Sequence, residues 1–135
     1  MHKPDISSIE IAINSGRILA DGATGTMLDS ILGDSLADKR DLLPVEQPEV
    51  IKKLHLAYLS AGAELVKTAT FNASELGLKR FAGKETASSL AYRINQTAAS
   101  LARSCCNEAA LADGKARWVA GSIGPGTEAP SLGGL

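Results

Sequence analysis

The chain has 135 residues, of which 44% are hydrophobic and 21% charged, and its formal net charge is -1. That size and balance describe one ordinary soluble domain with a real core. They speak against a nucleic-acid or membrane partner, since either favours a basic patch, and no apolar run is long enough to span a bilayer. Met1 to Glu10 is polar and contains Pro4, which does not suit a signal peptide, so the expected compartment is the cytoplasm. The two cysteines, Cys105 and Cys106, are adjacent, a spacing that rarely bridges, and they are read as reduced thiols.

Residues 1–16 form a lead-in, with a short helix expected over Ser8 to Asn14. Arg17 to Asp21 is a short apolar run ending in an acid and a glycine, the pattern of a buried strand and a turn. The turn covers Gly22 to Thr26, and a short helix is expected from Met27 to Leu32. Gly33 to Gln47 is polar and irregular, its charges from Asp34 to Asp41 reading as a solvated loop. Pro48 suits the first turn of a helix, where no backbone N–H is needed. Val50, Ile51, Leu54, Ala57, Tyr58 and Ala61 then recur at helical spacing, and Gly62 ends that helix. A second strand is expected over Ala63 to Phe71. After a loop with Gly77 and Gly83, a long helix runs from about Glu85 to Ala112. Its stripe is Leu90, Ile94, Ala98, Leu101, Cys105 and Ala109, widened by Ala91 and Ala102, and Asp113-Gly114 ends it. A third strand covers Arg117 to Ile123, and a Gly-, Pro- and Ser-rich tail follows from Gly126 to Leu135.

The order strand, helix, strand, helix, strand gives an α/β fold with parallel strands and right-handed crossovers. Ligands of such folds bind at the carboxyl ends of the strands. Here those ends carry Asp21 to Thr26, Thr68 to Asn72, and Gly121 to Pro125. A carboxylate, several hydroxyls and backbone N–H groups therefore face one opening, which suits a zwitterionic amino acid.

The run Ile18-Leu19-Ala20-Asp21-Gly22-Ala23-Thr24-Gly25-Thr26-Met27 resembles the opening motif of the homocysteine S-methyltransferase family, where DGAMGTM is usual. Asp41-Leu42-Leu43 and Gln47-Pro48-Glu49-Val50-Ile51 follow the family's pattern. His55 to Glu64 resembles its H-x-A-Y-x-x-A-G-A-[DE] segment. Thr68 to Ala73 resembles T-N-T-F-N-A, and Val119 to Pro125 matches the third-strand signature. These matches stand in order across most of Ile18 to Pro125. Thr24 stands where Met is common, and Ala69 replaces the usual Asn.

The resemblance implies an eight-stranded (β/α) TIM-type barrel, of which residues 17–135 would supply about three βα units, stopping before the zinc-ligand segment. A complete barrel needs about 250 residues. It implies transfer of a methyl group to the sulfur of homocysteine to make methionine, as in the first part of cobalamin-dependent methionine synthase. It also implies a zinc ion held by three cysteines, two of them in a Gly-Gly-Cys-Cys pair. Cys105-Cys106 follows Arg103-Ser104 in mid-helix and is not that pair. Cobalamin and folate are implied only through other domains of a longer enzyme. No catalytic or metal-ligating residue is assigned in this chain, which alone is expected to be inactive.

The candidate substrate-binding residues are Asp21, for the substrate amine, with Gly22, Ala23, Thr70, Asn72 and Ser122. Each has a plainer role. Asp21 can cap the helix after the turn, Gly22 can serve the turn itself, and Thr70 fits ordinary strand composition. His55 is assigned to a surface or packing role rather than to a base or ligand. Met27 and Trp118 are assigned to the core or rim, and Lys67 is set aside as a Schiff-base candidate. The expected partners are homocysteine and the remaining barrel strands or other methionine synthase domains. An open edge on the third strand also invites self-association. The other functional classes are a non-catalytic module or split-enzyme subunit completed by a partner, and a phosphate- or nucleotide-binding domain. The last is disfavoured because the glycine turn lacks both the Gly-x-Gly-x-x-Gly order and a Gly-Lys-Thr ending.

Overall fold

The computed structural model describes residues 6–33 and 39–126. Most of the charged loop from Asp34, the start of the lead-in and nearly all of the tail lie outside the described residues. The helices are α1 (Ile6–Ser15), α2 (Thr24–Leu32), α3 (Leu43–Glu46), α4 (Pro48–Ser60), α5 (Glu75–Leu78) and α6 (Ala87–Asp113). The strands are β1 (Leu65–Lys67) and β2 (Trp118–Ala120), which pair in parallel with Val66 opposite Val119. The expected first strand, Arg17 to Asp21, contributes a single parallel bridge from Ala20 to Leu65. The chain therefore lays down three parallel segments in sequence order, with β1 in the middle.

All three strands are shorter than their apolar runs suggest, and side chains are the reason. At the first, Leu19 donates its N–H to the Glu64 carboxylate at 3.0 Å, while its carbonyl accepts from both Glu64 and Leu65. A carboxylate thus stands where a ladder partner would. At the far end, the backbone ladder between β1 and β2 reaches Thr68, whose N–H donates to the Ala120 carbonyl at 2.9 Å. Beyond that point threonine hydroxyls join the two chains.

α6 is the spine. Thr86 caps its start, accepting from the Ser89 N–H at 3.1 Å, and Gly114 ends it in the left-handed region at φ 73°, as its position after Asp113 predicts. Its buried face is Leu90, Ala91, Ile94, Ala98, Ala102, Cys105 and Cys106. That is the expected stripe, with Cys106 added and with Leu101 and Ala109 only partly covered. The first half of α6 packs with Leu42, Ala73 and Leu78. The second half packs with Leu59 of α4 and Val66 of β1. A third cluster joins α2, α3 and α4 through Leu28, Leu43, Ile51 and Leu54.

Three elements differ from expectation. α2 begins at Thr24, three residues early, because Ala23 is already extended and serves as its N-cap without a side-chain bond. The stretch before Pro48 folds into a 3-10 turn at 39–42 and then α3, with Pro44 in its first turn, where proline is tolerated. α5 forms in the Gly77 loop because Ser74 caps it and Leu78 is fully buried.

Close approach requires glycine at 77, where a Cβ would collide with the Asn72 carbonyl, and at 124. The Gly124 N–H donates to the Phe71 carbonyl at 3.0 Å, and a Cβ on Gly124 would collide with that same carbonyl. Gly124→Ala is expected to lose about 1–3 kcal/mol as a lowered urea midpoint. Gly121→Ala is the control, since an added methyl there meets nothing within 4 Å. Equal midpoints for the two variants would refute the contact.

Candidate functional site

The turn after the first parallel segment is held from behind. Lys67 on β1 sends its ammonium to the Asp21 carboxylate, and also to the Asp21 and Gly22 carbonyls at 3.2 Å each. The Lys67 backbone N–H donates to the other Asp21 carboxylate oxygen at 3.0 Å. Tyr58 of α4 donates its hydroxyl to the Ala23 carbonyl at 2.8 Å. Three successive carbonyls, of Asp21, Gly22 and Ala23, are thus turned towards the scaffold. Asp21 does not cap α2, the plainer role considered for it.

A relay of hydroxyls joins the next two strand ends. Ser122 N–H donates to Thr68 Oγ1 at 2.9 Å, and Thr70 Oγ1 donates to the Ser122 carbonyl at 2.9 Å. Thr68 and Thr70 hydroxyls lie 2.7 Å apart. Thr70 has one proton and spends it on Ser122, so Thr68 is the donor between them. Thr70 keeps an acceptor lone pair. Asn95 of α6 supports the following loop, donating to the Ala73 carbonyl at 2.7 Å.

Together these ends line a cleft of about 610 Å3. Of the residues predicted from sequence, Gly22, Ala23, Thr70, Asn72 and Ser122 line it. Asp21 lies behind the wall, its side chain 2% exposed and both its oxygens engaged by Lys67. Lys67, Arg40 and Arg80 also line the cleft, and sequence reasoning gave none of them a role there. Arg40 is ion-paired with Asp29. A signal for Lys67 was present: a lone cation in an apolar strand needs a counter-charge, and Asp21 ends the neighbouring segment.

His55 is not on the surface. It is 0% exposed on α4, and neither ring nitrogen has a hydrogen-bond partner among the described residues. Ile51, His55 and Leu59 repeat every four residues on a helix covered by both α2 and α6, which is the signal for its burial. Burial lowers the His55 pKa from its ordinary 6.5, and the nearby Asp21 charge opposes that only in part. The unfolded chain therefore takes up a proton below about pH 6.5 that the folded chain resists, and stability falls as pH drops below that value. The urea midpoint is expected to be lower at pH 5.5 than at 7.5, with a smaller difference in His55→Phe. An equal pH response in the variant would assign the effect elsewhere.

Cys105 and Cys106 are buried free thiols. Burial pushes Cys105 up to about 11 and raises Cys106 as well, so both stay protonated at neutral pH. Among the described residues, no three His, Cys, Asp or Glu side chains cluster as a metal site. The described residues do not fit a zinc ion.

Comparison with known proteins bears on the family and the fold. Solved structures of the homocysteine methyltransferase MmuM from Escherichia coli are similar. The metallated form aligns with a TM-score of 0.71 and 29% identity, over 87% of this chain and 41% of that one. The oxidized form gives 0.70 and 29%, over 86% and 40%. The chain thus spans about two fifths of the length of those proteins. The family model for homocysteine S-methyltransferase matches residues 18–134. The chain belongs to the homocysteine S-methyltransferase family.

Proposed function

We infer that the chain is the homocysteine-binding part of an enzyme that transfers a methyl group to homocysteine, giving methionine. The observation that carries this reading is the polar cleft at the ends of three parallel segments, in a chain of this family. The amino-acid end of homocysteine lies against Gly22, Ala23, Thr70, Asn72 and Ser122, with Asp21 fixing the charge behind them. The backbone N–H groups of the turn and the remaining lone pair on Thr70 suit a zwitterion. The fold is part of a (β/α)8 barrel, with residues 17–135 supplying about three of its units and residues 1–16 leading in. The compartment is the cytoplasm.

The sulfur must be deprotonated to accept a methyl group, and no residue described in the cleft is placed to do this. A zinc ion, if the reaction uses one, is held by residues other than those described. Cobalamin and folate belong, on this reading, to other domains of a longer enzyme. The chain by itself binds homocysteine and does not methylate it. A second reading, a module completed by a partner chain, draws on the outer edge of β2, which has no strand beside it among the described residues.

Calorimetric titration with homocysteine, with and without zinc, tests the first reading. Weak binding that is indifferent to zinc is the expected result. No binding under either condition would overturn it, and tight binding that requires zinc would overturn the absence of a metal site and redirect attention to Cys105 and Cys106.

A further inference from the structure

We propose that Lys67 is the specificity-determining residue of this cleft: its ammonium receives the ligand's carboxylate, and Asp21 serves as its fixed counter-ion. The proposal rests on the reading of the cleft as an amino-acid site and names the charge that sorts its ligands.

Of the two ion-paired partners, Lys67 is the one a ligand meets. Its side chain is 39% exposed and lines the cavity, whereas that of Asp21 is 2% exposed and lies behind it. A ligand ammonium reaches Asp21 only by displacing Lys67. A ligand carboxylate meets Lys67 with nothing to displace but a weak contact. The ammonium has three donors. One is committed to the Asp21 carboxylate, and the other two reach neutral carbonyls at 3.2 Å. A bond to an ionised oxygen is shorter and about twice as strong as one to a neutral carbonyl, so exchanging one of those contacts for a carboxylate is favourable. Arg40, Arg80 and Asp41 also line the cavity, Arg40 already being paired with Asp29.

The pair also explains why the lysine stays in place. Asp21 grips both its side chain and its backbone N–H. A cation held at both ends of its own residue loses little freedom when it takes up a ligand.

The test uses the full chain under reducing conditions and three probes. They are homocysteine, 4-mercaptobutanoate (which lacks the amine) and 3-mercaptopropylamine (which lacks the carboxylate). Calorimetry should find that both carboxylates bind and that the amine binds at least about tenfold more weakly. Lys67→Met should weaken both carboxylates by about tenfold or more, and Lys67→Arg should restore most of that affinity. Circular dichroism confirms that each variant is folded, and the arginine variant carries the test if the methionine variant is not. The proposal is overturned if the amine binds as tightly as homocysteine, or if Lys67→Met binds homocysteine as well as the wild type does. That second result would leave the homocysteine reading intact. Lys67-dependent binding of 4-mercaptobutanoate with none of homocysteine would do the opposite, sustaining the lysine assignment and sinking the substrate. Absence of binding by every probe would remove both.

Discussion

Asp21→Ala should lower stability by about 2 kcal/mol and abolish homocysteine binding. The carboxylate is almost wholly buried, and its loss strands two donors at once, the Lys67 N–H and one arm of the Lys67 ammonium. A buried donor left without a partner costs about 1–3 kcal/mol. The Coulomb share is smaller than a buried pair would give, because Lys67 is partly in water and is screened there. Binding suffers more than stability, since the turn that carries Gly22 and Ala23 is shaped by this pair. Asp21→Asn keeps the shape and one acceptor and should lose about half as much. Urea melts and homocysteine titration on the two variants would measure both effects. An alanine variant with wild-type stability and wild-type affinity would mean that the pair neither holds the turn nor serves the cleft.

Ile94→Ala should cost about 2–5 kcal/mol, the largest stability loss expected of any single truncation considered. Ile94 is 0% exposed in the first half of α6, packed with Leu42, Ala73, Leu78, Leu90 and Ala91. These neighbours come from the 3-10 turn, the loop after β1, α5 and α6 itself, so little can close over the hole. Domains of this size are commonly stable by only about 5–15 kcal/mol. The variant should therefore show a much lower thermal midpoint, and it should bind homocysteine less well only in proportion to its unfolded fraction. A specific loss of affinity in fully folded protein would instead tie the Ala73 loop directly to the cleft.

Much of this was legible in the residues. The parallel order, the two long helices, the Gly114 stop and the meeting of three polar strand ends follow from hydrophobic periodicity and turn residues. Five of the six candidate site residues line the cleft for the same reason: strand ends in such folds point to one side. What periodicity could not give was the work of polar side chains. It placed Asp21 in the cleft, because nothing in the pattern says that Lys67, two positions along the next strand, reaches back to cover it. It gave strands of five to nine residues where Glu64, Thr68 and Thr70 replace ladder bonds with side-chain bonds. It left His55 between a surface and a packing role, because the pattern does not say whether both flanks of that helix are covered; the structure gives it the packing role. α3 and α5 escaped notice because four residues are too few to show a period.

The outer edge of β2 has no strand beside it among the described residues. A parallel edge of this kind is a template without a preference of its own, since any extended segment with the right backbone spacing satisfies its N–H and C=O groups. Discrimination must then come from side chains next to it, and the strand is only three residues long. The register of whatever docks there is accordingly set less by the ladder than by the half-buried Trp118, Val119 and Ala120 surfaces. Concentration is the variable to watch. At high concentration a second copy competes for the edge with the proper neighbour, so assembly yield should depend on which arrives first.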